Sequence, residues 1–304
     1  MGGLPGTDPF RRAGAYTVWL SRTRVGGIGR QRVCDAGPVT AALDAVRAVL
    51  IDLDGVLYVE DQVIDGARET VSALRESGLG LRFVTNTTAR SHAQTVAKLD
   101  RLGFAVAPDE LLTPARLAVR YCEQRGHRSA LLVMNEEVKE DFAELMEDEG
   151  GQADAVIVGD LGDAFGYDVL NRAFRAVMAG AELIALQKNR YWMRADGLSL
   201  DVGPFVAALE FATHRDAVVV GKPARSFFEL ALADLDVEAR AAAMLGDDIE
   251  TDIGGAIAAG LAGILVRTGK YDRDDAASSG VEPTATIDSI AEVPALLARS
   301  GALE

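Results

Sequence analysis

From Ala48 onward, short runs of branched apolar residues recur along the chain: AVLIDLD (48–54), LGLRFVT (79–85), SALLVM (129–134), DAVIVGD (154–160), ELIALQ (182–187), AVVVG (217–221), AAAMLGD (241–247) and AGILVRT (262–268). They are nearly continuous rather than alternating, the pattern of strands buried on both faces, as in a parallel sheet. Between them stand segments with the 3.6-residue period of amphipathic helices: GARETVSALRESG, SHAQTVAKLDRLG, VLNRAFRAVMAG, PFVAALEFATH and ARSFFELALADL. Strand and helix in alternation predict an α/β protein built on a parallel sheet. No internal repeat or low-complexity tract interrupts the pattern.

Four of the predicted strands end in polar groups. Asp52 and Asp54 close the first, Thr85 and Asn86 the second, Lys222 follows AVVVG, and Asp247 and Asp248 follow AAAMLG. In an open parallel sheet the carboxyl edge is where ligands bind. Each group has a plain alternative. Asp52 and Asp54 fit a strand-end turn, the Thr85–Thr88 run fits a loop with a helix N-cap, Lys222 fits a solvated lysine, and Asp252 fits the opening of a helix. Taken together they fit a chemistry. Asp52 and Asp54, two apart at a strand end, are expected to face one side, or to diverge slightly if the strand unwinds at Gly55, and their repulsion favours a raised pKa or a cation between them. A strand-end carboxylate can attack phosphorus, and a second can protonate the leaving oxygen and then deprotonate water. Thr85 and Asn86 can hold phosphoryl oxygens, and Lys222 can neutralise their charge. The carboxylates of Asp52 and Asp247 are hard ligands suited to Mg²⁺.

Charge narrows the partners. The net charge is −15 over 304 residues, which opposes general nucleic-acid binding because a phosphate backbone needs a basic surface. No apolar run approaches the length of a membrane span. Cys34 and Cys122 form neither a disulfide framework nor a zinc spacing, consistent with free thiols in a reducing cytoplasm. Residues 1 to 45 differ from the rest: six arginines stand against Asp8, Asp35 and Asp44 among many glycines. A loosely attached or disordered extension is expected there, ahead of a targeting signal.

DLDGVLY, FVTNTT, VGKP and GDDIETDIGGA, in this order and spacing, resemble the four motifs of the haloacid dehalogenase-like (HAD) hydrolases. The resemblance implies a Rossmann-like core over residues 46–113 and 218–300, with a flap after the first strand. It also implies an inserted α/β cap over 114–217, like that of the NagD-type subfamily. By position, it makes Asp52 the nucleophile and Asp54 the general acid and base. Thr85, Asn86 and Lys222 would bind phosphate. Mg²⁺ would be held by the side chains of Asp52 and Asp247 and the main-chain carbonyl of Asp54. Asp252 would orient Lys222 or metal-bound water, with Asp248 beside it. The segment QKNRYWMRADGLSLDVGPFVAALEFAT (187–213) and GKYDRDD (269–275) resemble those of two vertebrate members. One of these lacks the second aspartate of the first motif, which is present here as Asp54.

In such enzymes the cap selects the leaving group. Asn189, Tyr191 and Trp192 are expected in a cap loop, where the aromatic pair either walls a substrate or packs within the cap and at a dimer surface. His92, His127 and His214 have no metal-binding spacing. The resemblance implies a small phosphorylated substrate, whether phosphomonoester, phosphoramidate or pyrophosphate, and pairing of two chains through the cap. Phosphoryl transfer to a sugar by a mutase remains the alternative within the enzymes. A receiver-type signalling domain also clusters aspartates, a threonine and a lysine on a parallel sheet, but is much shorter and has no insert. A non-catalytic binding protein fits poorly with intact Asp52, Asp54 and Lys222.

Overall fold

The structure is a computed structural model describing residues 43–148, 152–194 and 197–302. The arginine-rich extension lies outside the described residues up to position 42, and Cys34 with it. The chain begins the main sheet with β1 (Ala48–Asp52), makes a hairpin of β2 (Tyr58–Val59) and β3 (Gln62–Val63), and returns through helix α1 (Ala67–Glu76) to β4 (Gly80–Val84). Helix α2 (His92–Arg101), β5 (Leu111–Leu112) and helix α3 (Pro114–Arg125) follow.

A second sheet then forms from β6 (Ser129–Val133), β7 (Met146–Glu147), β8 (Ala155–Val158) and β9 (Glu182–Ala185), with α4 (Tyr167–Ala179) between the last two. The hairpin β10 (Tyr191–Arg194) and β11 (Gly197–Leu200), helix α5 (Val202–Thr213) and β12 (Val218–Val219) complete this region. The chain re-enters the main sheet through α6 (Arg225–Ala233), β13 (Ala242–Gly246), β14 (Ala262–Val266) and β15 (Ala285–Ile287), and α7 (Val293–Ser300) follows the last strand.

The main sheet has strand order β15-β14-β13-β1-β4-β5 and the second β12-β9-β8-β6-β7, with every pair in both running parallel. Central β1 is buried at all five positions, as its unbroken apolar run predicts. Its alternate residues serve two clusters. Val49 and Ile51 pack with Leu81, Phe83, Leu245 and Ile264 on one face. Ala48 and Leu50 pack on the other with Phe227, Phe228 and Met244, in a cluster that continues into Leu132, Ile157 and Leu186 of the second sheet region. The opposite face of the second sheet carries Val133, Val156 and Leu183 against Ala173 and Val177 of α4 and Val206 and Leu209 of α5. The two sheets therefore share one apolar layer, which sets the insert directly over the core.

Candidate active site

Asp52 is the last residue of β1 and lies in register with Val84 of β4. Thr85 follows β4 and Asp247 follows β13, the other neighbour of β1. Adjacent strands thus deliver Asp52, Thr85 and Asp247 to one sheet edge, and all three are buried. Lys222 arrives differently. The strand before it, β12, pairs with Ile184 and Ala185 of the second sheet, and Val220 N–H continues that pairing to the Ala185 carbonyl at 3.0 Å. The apolar run AVVVG signals a strand but not the sheet it joins, so Lys222 reaches the core edge from the insert's sheet. The expected boundary at 217/218 falls just before β12 and so leaves on the core side a strand that pairs within the insert's sheet.

Asn86 secures the lysine at this crossing. Its Nδ2 donates to the Lys222 carbonyl and its Oδ1 accepts from the Lys222 N–H, both at 2.8 Å. Asn86, expected at the phosphate site, thus holds the Lys222 main chain with both ends of its amide, and its Nδ2 carries a second N–H. The Thr85 hydroxyl accepts from Thr87 N–H at 3.0 Å, which fixes its orientation at the strand end.

The Lys222 ammonium lies 2.6 Å from Asp52 Oδ1 and 2.6 Å from Asp252 Oδ1. Burial opposes its charge, but the two carboxylates outweigh that and raise its pKa, so Lys222 stays protonated. Asp252 is brought in by a π-helical turn, Ile249–Gly254, and is 1% exposed. Burial lifts its pKa to about 7 against the pull of Lys222. Burial likewise raises Asp52, with Lys222 opposing.

Asp247 faces a different set of groups. Its Oδ2 accepts from Lys270 N–H at 2.7 Å, in the loop after β14. Gly55 and Gly269 flank the carboxylate, and a Cβ on either would overlap Oδ2. Both have positive φ, 83° and 62°, so glycine is required twice over at each. Thr268 Oγ1 donates to the Gly55 carbonyl and ties the two glycine loops together. Burial, with Asp52 and Asp252 nearby, pushes the Asp247 carboxyl up to about 8.

The sequence comparisons agree with this layout. Residues 49–148 match the family described as haloacid dehalogenase-like hydrolase, and residues 219–293 match the HAD-hydrolase-like family. Haloacid dehalogenase-like hydrolase domain-containing protein 2 of Mus musculus is 42% identical over 249 residues, 82% of this chain and 95% of that protein. The chain belongs to the HAD-like hydrolases. Phospholysine phosphohistidine inorganic pyrophosphate phosphatase of Bos taurus is 40% identical over 261 residues, 84% of this chain and 95% of that protein. Among solved structures, glycerol phosphate phosphatase of Mycobacterium tuberculosis, in complex with magnesium, superposes with a TM-score of 0.73. It is 31% identical, covering 84% of this chain and 78% of that one. The chain is thus a HAD hydrolase of phosphate bonds, on a Rossmann-like core.

The HAD site suits a divalent cation. Carboxylate oxygens of Asp52, Asp247 and Asp252 lie within 4.8 Å of one another, all buried. Burial pushes two of these acids toward protonation, and a cation among hard oxygen donors would favour their ionised forms. Lys222 pairs with both Asp52 and Asp252 at 2.6 Å, so Asp247 is the carboxylate of the three that this lysine does not neutralise.

Asp248 does something other than line this cluster with its carboxylate. Its Oδ1 accepts from Glu250 and Thr251 N–H, at 3.0 and 2.9 Å, and caps the π-helical turn, while its own N–H donates to Asp252 Oδ2 at 3.2 Å. Asp54 lies just beyond β1, bridged to Tyr58 of the flap. Burial raises its pKa, with Lys98 the leading opposing charge.

In the cap, Tyr191 and Trp192 lie in strand β10, not in a loop as expected: Tyr191 pairs with Leu200 and Trp192 with Ser199 of β11. In the sequence, Asp196-Gly197 is a hairpin signal that a reading for aromatic loop residues passes over. Tyr191 is half-exposed beneath the Arg190 guanidinium. Asn189 precedes the hairpin, its N–H donating to Gln187 Oε1 at 2.5 Å. Gln187 also donates to Asp201 Oδ1 at 2.6 Å and packs beside Gly221, next to Lys222. Gln187, Asp201 and Lys270 are the residues near the site that sequence reasoning missed. Lys270 carried a usable signal, since it follows a predicted strand just as Lys222 does.

Proposed function

We propose that this chain is a Mg²⁺-dependent phosphatase that hydrolyses a small phosphorylated substrate through an aspartyl-phosphate on Asp52. The observation that carries the reading is the buried Asp52–Lys222–Asp252 array beside Asp247 at one sheet edge. Lys222 holds the Asp52 carboxylate by one oxygen, leaving the other to attack phosphorus. The P–O or P–N bond to the leaving group breaks as the new O–P bond forms, and the leaving atom takes a proton from Asp54. Asp54, now a carboxylate, removes a proton from water, and the hydroxide displaces phosphate from Asp52. Thr85 and Lys222 bind the phosphoryl oxygens through both steps. Asp52 and Asp247, with the Asp54 carbonyl, would hold Mg²⁺, which supplies positive charge against the phosphoryl group.

Support comes from the relatives: one bears the name of a phosphatase for phospholysine, phosphohistidine and pyrophosphate, and the glycerol phosphate phosphatase was solved with magnesium. The test is phosphate release from p-nitrophenyl phosphate, pyrophosphate, phosphoramidate, sugar phosphates and nucleotides, with and without Mg²⁺. Metal-dependent release is expected, lost by at least roughly 10³-fold in Asp52→Asn because the nucleophile is gone. Substantial turnover by that variant would remove Asp52 from its role. Transfer of the phosphoryl group to an added sugar in place of phosphate release would indicate a mutase, and a stable phosphoprotein without turnover a receiver.

A further inference from the structure

Helix α2 buries a lysine. Lys98, in its last turn, is 4% exposed, although a lysine serving the helix dipole ordinarily extends into solvent. Its ammonium stands 4.0 Å from the centre of the Tyr58 ring, a cation–π contact with the first strand of the flap hairpin. The carboxylate it pairs with is Asp61 at the hairpin's tip, 3.8 Å away and 87% exposed. A long, solvated pair of this kind holds weakly and does not account for burying the charge.

Tyr58 in turn is bound to the segment that carries Asp54. Its carbonyl accepts from Gly55 N–H at 2.7 Å, and Tyr58 forms a bridge with Asp54 itself. Leu57 N–H, one residue earlier, closes the same turn onto the Leu53 carbonyl at 2.9 Å. The charged groups acting on Lys98 are Asp54, Arg90, Asp61 and Arg101, and Asp54 is the strongest among them.

We propose that Lys98 is a positioning residue: its ammonium, seated on the Tyr58 ring, fastens the flap hairpin to α2 and thereby fixes the Asp54 carboxyl for proton transfer to the leaving group. This rests on the phosphatase reading and on Asp54 as its general acid. Lys98 keeps its own protons throughout; only Asp54 donates, as the bond from phosphorus to the leaving oxygen breaks and the bond to Asp52 forms.

The test separates proton donation from the rest of the reaction by leaving group. A p-nitrophenolate departs readily without a proton, whereas an alkoxide needs one. The kcat/KM values for p-nitrophenyl phosphate and glycerol 3-phosphate, which report steps up to the aspartyl-phosphate, are measured for wild type, Lys98→Met and Lys98→Arg. Lys98→Met is expected to lose on the order of 10²-fold more on glycerol 3-phosphate than on p-nitrophenyl phosphate, within the range a general acid contributes. Lys98→Arg, which restores a cation over the ring, should recover most of that difference. Folding of each variant is checked by its Mg²⁺-dependent thermal shift. If Lys98→Met does not fold, Tyr58→Leu removes the ring seat instead and should show the same substrate-dependent loss.

Equal losses on both substrates in a folded variant would reduce Lys98 to a structural residue and overturn the proposal, as would no loss on either. A wild-type chain that releases phosphate from neither of these nor from any other member of the panel would sink the phosphatase reading itself and this inference with it. Normal wild-type turnover without the leaving-group split would sink only the role of Lys98.

Discussion

Lys222 is gripped at both main-chain polar groups by Asn86 and at its ammonium by two buried carboxylates. Removing that charge leaves Asp52 and Asp252 facing each other without compensation. Lys222→Met should therefore lower stability by about 3–5 kcal/mol, as loss of one partner in a buried ionic group does, measured by urea denaturation. Full stability in that variant would mean the two acids share a proton instead. At Asp247 the flanking glycines make the analogous prediction for the metal. Gly55→Ala pushes a methyl group into the carboxylate, so Mg²⁺ affinity measured by calorimetry should fall.

The residues of the site were unevenly legible. Asp52, Thr85, Lys222 and Asp247 each follow an apolar run, and strand-end position is enough to find them. The direction of the Asn86 amide is not encoded in any local pattern, because it depends on a chain crossing 136 residues away. Lys98 reads as an ordinary lysine near a helix C-terminus, since only the hairpin folded over it buries the ammonium.

At the level of elements, the long apolar runs gave reliable strands, and β1 shows why. Five consecutive buried residues leave no exposed face to supply a competing period. Leu50, fully buried where the core sheet meets the layer shared with the insert, should cost about 2–5 kcal/mol when cut to alanine, read from the denaturation midpoint. A loss well below this range would show that the shared layer relaxes around the gap. The strands that went unpredicted are mostly two residues long, such as Tyr58–Val59, Leu111–Leu112 and Met146–Glu147. Segments this short carry no periodicity of their own and exist only because a neighbouring strand pairs with them. The flap was expected from the resemblance rather than from its own composition.

For the whole molecule, pH and metal are coupled through the acidic cluster. The metal-free Asp247 carboxyl, raised to about 8, binds its proton more tightly folded than unfolded. Its contribution to stability is full below the ordinary carboxylate range and is lost as pH rises toward 8. Mg²⁺ requires the ionised carboxylate and competes with that proton. The thermal shift given by Mg²⁺ should thus be larger at about pH 8.5 than at about pH 6, as scanning calorimetry would show. A shift that does not change with pH would place the metal away from Asp247. No described helix is long and apolar enough to cross a membrane.

The route by which Lys222 enters the site bears on modularity. β12 is hydrogen-bonded into the second sheet, and Lys222 follows it by three residues. The insert is therefore not a detachable module that can be exchanged at its two ends without touching the chemistry. A chimera that borrows a foreign insert but keeps this chain's VGKP motif would join Lys222 to an unfamiliar sheet edge. Exchanging substrate preference by grafting would succeed only when the donor's last strand sets the lysine at the same height above Asn86. Recombination points within the hairpin Tyr191–Leu200, which leave β9 and β12 paired, offer the safer junctions.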